Sequence, residues 1–286
     1  MQDGFSFEAT ALNGSAVTRD LFGIPLPLRA EICYNHSEQE ETAMPSLAPY
    51  KSDLDYGYAP GAFPAMECLL HRPDCARRVL LHSKAEGTEA AQKLTALAEK
   101  LRIRVEIADK ALARISGKEN CFAAAVFSKF DDTLTPGAPH VVLHNPSDQG
   151  NVGTILRTAL GFGVEDVALI RPCVDVFDPR VVRASMGSLF SLRVKVYDTF
   201  EDYQAEHPDR ALYPFMLDGS RSLPDVLAGP IPANWTLIFG NEGSGLPAEF
   251  AHKGQPVRIP SNEKIDSLNL SIAAAIGIYG FAMKND

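Results

Sequence analysis

From Val141 onward the chain alternates short aliphatic runs with helix-length segments, and this alternation restricts the fold more than any other feature. Val141–Leu143, Val167–Ile170, Leu192–Tyr197, Leu212–Leu217, Trp235–Phe239 and Val257–Ile259 read as strands. Asn151–Leu160, Pro179–Ala184, Phe200–Ala205 and a strongly apolar Leu268–Met283 read as helices. Asn151 is a candidate N-cap, and Pro179 suits a first helical turn. Strands separated by helices predict an α/β fold, a mostly parallel sheet with helices on both faces. Such sheets bind ligands beyond the carboxyl ends of their strands. Three polar loops follow strand ends here, after Leu143, after Phe239 and after Ile259.

A smaller α/β unit precedes this one. Phe63–His71, Thr88–Leu101 and Lys110–Ile115 read as helices, and Ala76–Leu81, Val105–Ile107 and Ala123–Phe127 as strands. Asp131–Ala138 (DDTLTPGA) has linker composition. The expected division is an extension over residues 1–50, a small α/β domain over 51–130 and a larger one over 138–286. In the extension, SEQEETAMPSLAP is acidic and Pro-containing, and Leu21–Leu28 is broken by two prolines.

Net charge is −9, but it is unevenly spread. Residues 1–50 are net −5, residues 131–286 net −7, and residues 51–130 alone are basic at net +3. Any nucleic-acid contact is expected to begin in that basic segment, although an excess this small also fits an ordinary solvated surface. No apolar run approaches the roughly 18 residues of a membrane span, and the first residues lack a basic, then apolar, secretory pattern. Five scattered cysteines form no C-x-x-C pair. A reduced, cytoplasmic protein without a membrane or a Cys-rich metal site is the expectation.

Chemistry concentrates in the three loops. The first, NPSDQGNVGTILRTA, places Arg157 six residues beyond Asn151 among uncharged neighbours, where an arginine usually has an anionic partner. The second, GNEGSG, holds Glu242 among Gly240, Gly243 and Gly245, which permit close ligand approach; it is equally readable as a tight structural turn. The third carries Ser267 and Asn269 ahead of the last helix. No G-x-G-x-x-G follows a strand, and neither G-K-[ST] nor H-E-x-x-H occurs.

Three groups of residues are similar in order and spacing to the three motifs of the SpoU/TrmH family of RNA ribose 2′-O-methyltransferases. They are Asn151-x-Gly153 with Arg157, Phe239–Leu246 (FGNEGSGL), and Ile259-Pro260 with Ser267–Ser271 (SLNLS). Val181–Ser188 (VVRASMGS) resembles the family's intervening segment, so the resemblance covers about residues 139–286. More loosely, Gly57, Glu67, Leu69 and the SGKEN run resemble the ribosomal-protein-like RNA-binding domain that precedes the catalytic domain in many members.

The resemblance implies a trefoil-knotted domain in which S-adenosylmethionine is the methyl donor and no metal takes part. It implies that Gly240, Ile259 and Leu268 hold the adenosine, with Gly245 in the same turn. It implies a catalytic set of Asn151, Arg157, Glu242, Ser267 and Asn269. It also implies a homodimer that completes each site across its interface; the apolar final helix is either that interface or core. In the mechanism expected from this set, Arg157 binds an RNA phosphate and positions the 2′-hydroxyl, whose proton leaves to Arg157 or to that phosphate. Glu242 orients Arg157 or Asn151, and Ser267 and Asn269 bond the ribose or the donor. Arg72, Arg77, Arg78, Lys84, Arg102 and Arg104 are candidate RNA contacts. Ribosomal RNA is favoured slightly over transfer RNA. Two alternatives remain: a base-methylating enzyme of the knotted class, and a non-catalytic RNA-binding or assembly protein that keeps the fold.

Overall fold

The larger unit is built on a five-stranded sheet. Its strands are β5 (His140–His144), β6 (Asp166–Ile170), β7 (Arg193–Tyr197), β8 (Ala211–Pro214) and β10 (Trp235–Phe239), numbered along the whole chain, in the order β7-β6-β5-β10-β8. All four pairings are parallel. The inner strands β6 and β10 are fully buried and β5 nearly so, as a sheet covered on both faces requires, while the edge strands β7 and β8 are only partly buried. Between them run α4 (Gln149–Gly161), α5 (Pro179–Ala184), α6 (Phe200–Glu206) and α7 (Leu223–Ala228), and α8 (Leu270–Ala282) closes the unit. The chain winds outward from β5 to β7, then returns to lay β10 between β5 and β8. The loops after β5 and β10 therefore face each other where strand order reverses, the place where such sheets accept ligands. The computed structural model describes residues 47–116, 121–262 and 264–284. Expectations for residues 1–46, and for most of the SGKEN run, fall outside the described residues.

A second sheet comprises β1 (Tyr56–Pro60), β2 (Ala76–Leu81), β3 (Arg104–Ile107) and β4 (Ala123–Ser128), in the order β1-β4-β2-β3. β4 is antiparallel to both neighbours, and β2 and β3 are parallel. Helices α1 (Ala62–His71), α2 (Glu89–Lys100) and α3 (Asp109–Ser116) connect them. One apolar core runs through both sheets. At their junction Phe127 meets Phe190 edge-on at 4.9 Å, and Phe130 meets Phe177 at 5.0 Å.

Three local expectations are corrected. Asp148, not Asn151, caps α4: its carboxylate accepts the Asn151 amide at 2.7 Å. Ser147, Asp148 and Asn151 are all capping types, so composition does not choose among them. Val257 does not extend the main sheet as a strand. It belongs to β11 (Val257–Arg258), which pairs in parallel with β9 (Arg221–Ser222) beyond the end of β8. Pro256 and Pro260 bracket it and limit it to two residues. The stretch of linker composition is packed, because its polar groups are paired. Asp132 accepts from Arg72 and from the Val194 amide, the Thr135 amide donates to Asp166, and Leu134 is buried.

Candidate active site

Glu242 joins the first loop to the second. Its two oxygens accept five hydrogen bonds: from the Ser147 amide (3.0 Å) and hydroxyl (2.7 Å), the Asp148 amide (3.0 Å), Asn151 Nδ2 (3.3 Å) and Asn241 Nδ2 (3.4 Å). Burial opposes its charge, but the donors from Ser147 and Asp148 outweigh that and hold the carboxyl below its usual range. Glu242 is therefore an anion whose lone pairs are already engaged.

An anion at Oε1 requires a donor, so Asn151 presents Nδ2 to Glu242 and turns Oδ1 the other way. That oxygen accepts from Asn269 Nδ2 at 3.1 Å. Asn269 in turn caps α8, its Oδ1 accepting from the Ser271 amide (2.9 Å), the Ser271 hydroxyl (2.7 Å) and the Ile272 amide (3.3 Å). One line of hydrogen bonds thus runs from the second loop through α4 to the start of α8. The second loop is braced from within as well. Asn241 Oδ1 accepts the amides of Gly243 and Ser244, and Asn241 Nδ2 donates to the Asn145 carbonyl at 2.9 Å. A Cβ on Gly240 would lie 2.2 Å from the Gly245 carbonyl carbon, so the turn closes only on glycine.

Beside this line opens a cavity of about 300 Å³. Gly240, Gly245, Ile259, Ser267 and Leu268 all line it, together with the loop after β8, including the exposed Leu217 and Asp218. Backbone groups next to apolar walls suit a flat heteroaromatic ring with a polar ribose. Ser267 is exposed and makes no side-chain hydrogen bond among the described residues.

Arg157 stands apart. It lies about 9 Å along α4 from Asn151 and about 120° around the helix, exposed and without a hydrogen-bond or ion-pair partner among the described residues. The expected anionic partner is not found among the described residues. Ser147, Asp148 and Asn241, which hold Glu242, were not singled out in the sequence. The S-D-x-x-N capping pattern was the one signal for the first two.

The basic segment differs from expectation. Arg72 is spent internally: it forms a two-pronged pair with Asp132 (3.0 Å for each prong) and donates to the carbonyls of Phe190 (3.1 Å) and Leu192 (2.8 Å). Arg78 is buried against Glu106 at 3.0 Å. Both guanidinium groups are thus engaged within the chain, Arg72 partly exposed and Arg78 buried. Arg77 is half-buried and bonded to Ser128 and Asp55. Lys84 is exposed, and Arg104 reaches Glu106 only at 3.7 Å. No group of residues that would hold a metal ion occurs among the described residues, and none of the described helices is long and apolar enough to cross a membrane.

The model of the SpoU rRNA Methylase family matches residues 138–279. A 23S rRNA (adenosine(1067)-2′-O)-methyltransferase of Streptomyces laurentii is 31% identical over 67% of this chain and 74% of its own length. A putative tRNA (cytidine(34)-2′-O)-methyltransferase of Listeria innocua is 31% identical over 49% of this chain and 84% of its own. The structure of an AdoMet-bound rRNA methyltransferase from Sinorhizobium meliloti superposes with a TM-score of 0.67 over 81% of this chain and 88% of that one, at 24% identity, a likeness of fold. Glu242, Asn151 and the glycine turn all lie inside the matched region, and on these likenesses the chain belongs to the SpoU methylase family.

Proposed function

We propose that this chain transfers a methyl group from S-adenosylmethionine to a ribose 2′-hydroxyl of structured RNA, ribosomal RNA in preference to transfer RNA. The observation that carries the reading is the hydrogen-bonded line Glu242–Asn151–Asn269 alongside the cavity at the strand-order reversal. The cavity fits the donor: Gly240, Gly245, Ile259 and Leu268 offer backbone groups and apolar walls to an adenosine. When bound, the donor supplies a sulfonium methyl open to attack.

This chain's residues arrange the acceptor. Glu242, fully engaged, fixes the loops and the Asn151 amide and does not receive the proton. Arg157 holds a phosphate beside the target ribose and steers the 2′-hydroxyl, whose proton passes to Arg157 or to that phosphate. Because an arginine is ordinarily protonated, the phosphate route needs less perturbation. Ser267 and Asn269 shape the donor side. Positioning and electrostatics then supply the acceleration.

The reading includes a homodimer. Arg157 does not reach Asn151 within one chain, so a second copy brings its Arg157 to this site. Ile272, Ile276, Tyr279 and Met283 form an exposed stripe on and just past α8, and Tyr279 meets Phe162 at 5.4 Å, giving an apolar face beside α4 for that contact. It also includes a trefoil knot. The segment from Gln255 to Arg258 lies against Leu212–Ser222, with Met216 and Arg221 amides donating to Val257 and Pro256, which supports a threaded chain. The smaller unit, residues 51–130, is a ribosomal-protein-like module that presents RNA to the site. The test is to incubate the purified chain with labelled donor and total RNA, then digest with alkali. Label retained in an alkali-resistant dinucleotide supports the reading; label in a modified mononucleotide, or none in RNA, overturns it.

A further inference from the structure

A second cavity, also about 300 Å³, lies where the smaller sheet meets α5. Pro60 at the end of β1 and Arg114 and Ile115 on α3 form one wall. Asp178, Arg180 and Arg183, from the cap and body of α5, form the other. Tyr50 lines it with its hydroxyl committed to Asp175. Three arginines and one carboxylate therefore line the same cavity. Asp178 is used twice over, capping α5 and pairing with Arg180 at 2.7 and 3.0 Å. Arg183, half-buried, has no side-chain partner among the described residues. Arg114 is exposed and, among the described residues, donates to the Lys110 carbonyl at 3.3 Å. Arg183 and the remaining donors of Arg114 thus line a cavity whose one described carboxylate, Asp178, is already paired with Arg180.

The location gives the cavity meaning. α5 packs directly on α4: a Cβ at Gly153 would lie 2.5 Å from the Ala184 Cβ and 2.8 Å from the Val181 carbonyl oxygen. Asp148, which caps α4 and binds Glu242, is near enough to raise the pKa of Arg180 further, beyond the larger effect of Asp178. The arginine cavity is thus one helix away from Asn151, on the side facing the smaller sheet. We propose that it is a binding site for a backbone phosphate of the substrate RNA, gripped by Arg114 and Arg183, on the path from the smaller sheet to the reacting ribose. This rests on the reading of the chain as an RNA methyltransferase. Guanidinium forks match phosphate oxygens two at a time, and a phosphodiester is the only anion such a substrate offers in quantity.

The experiment compares the parent, Arg114→Gln, Arg183→Gln, the double variant and Arg183→Lys, all as the full chain. RNA affinity is measured across a salt series, with donor affinity by calorimetry and KM and kcat for RNA methylation. Each single Gln variant is expected to bind RNA about three- to tenfold more weakly at low salt, with the salt slope reduced by about one. KM for RNA should rise while kcat stays within about twofold, and donor affinity should match the parent. Arg183→Lys should recover part of the affinity, since charge survives without the fork. A double variant with parental affinity and salt slope overturns the phosphate site and leaves the methyltransferase reading intact. A parent that neither binds nor methylates RNA overturns both. Loss of donor affinity in the Gln variants would mean that these arginines hold the fold, and that also overturns the site.

Discussion

Two arginines of the smaller unit and two of the larger are used in opposite ways. Arg72 and Arg78 lie in the only basic stretch of the sequence, yet both are turned inward and paired with Asp132 and Glu106. Arg157 and Arg183 lie in the acidic part, yet neither has a partner among the described residues. A buried guanidinium must be matched by acceptors, so it stops acting as a surface charge. What a cation does is decided by the acceptors within a few ångströms of it.

The contrast is broken most forcefully at Arg157. Arg157→Ala is expected to lower methyl transfer by at least about 10²–10³-fold, the scale of removing one well-placed electrostatic group, while calorimetry shows parental donor affinity. Near-parental turnover would return Arg157 to the ordinary surface. Arg72→Ala tests the other side. It strands Asp132, 9% exposed in its side chain, and should cost about 3–5 kcal/mol in a denaturant titration. RNA affinity per folded molecule should not move.

Glu242→Gln comes next, at roughly 1–3 kcal/mol, because the amide cannot accept all five bonds. Its pH dependence has a definite sign. The Glu242 carboxyl titrates below its ordinary value of 4.5 in the folded chain. Its contribution is therefore complete above that value and is lost as pH falls through the lower folded one. Thermal melts of the parent should lose stability faster than those of Glu242→Gln as pH drops below about 4.5. The smallest effect sharpens the contrast within the smaller sheet. Lys84→Ala, at an exposed position, should change stability by less than about 0.5 kcal/mol and weaken RNA binding about two- to threefold in a low-salt titration.

The inner strands were legible as runs of buried aliphatic or aromatic residues, and the edge strand β7 by its alternation of apolar with charged positions. The glycine turn was legible because so few residue types fit a backbone that doubles back on Gly240. The pairings were not legible. Nothing local to Arg72 announces Asp132, sixty positions away, and a polar, Pro-containing linker composition does not reveal that Asp132 and Thr135 have partners. Helix α7 was missed although Ser222 caps it and Pro224 stands in its first turn, a signal present but short. The cap of α4 was misplaced by three residues because Asp148 and Asn151 compete for the same role. In the site, the types of Asn151, Glu242 and Asn269 could be read from spacing. The direction in which Asn151 turns its amide could not, because that depends on the charge of Glu242.

The line through Glu242 also sets an order of assembly. Glu242 reaches back 95 positions to Ser147, and Asn269 reaches back 118 to Asn151. Bonds this distant in sequence form only after the intervening chain has been ordered, and they are slow contacts in folding. As the chain leaves the ribosome, β5, β6 and β7 can pair before α8 exists, whereas the cap on α8 and the third loop cannot. The donor cavity is therefore the last part of the unit to acquire its shape. A chain that stops short of Asn269 has a nearly whole sheet and no place to bind, so donor binding reports completion of the whole unit.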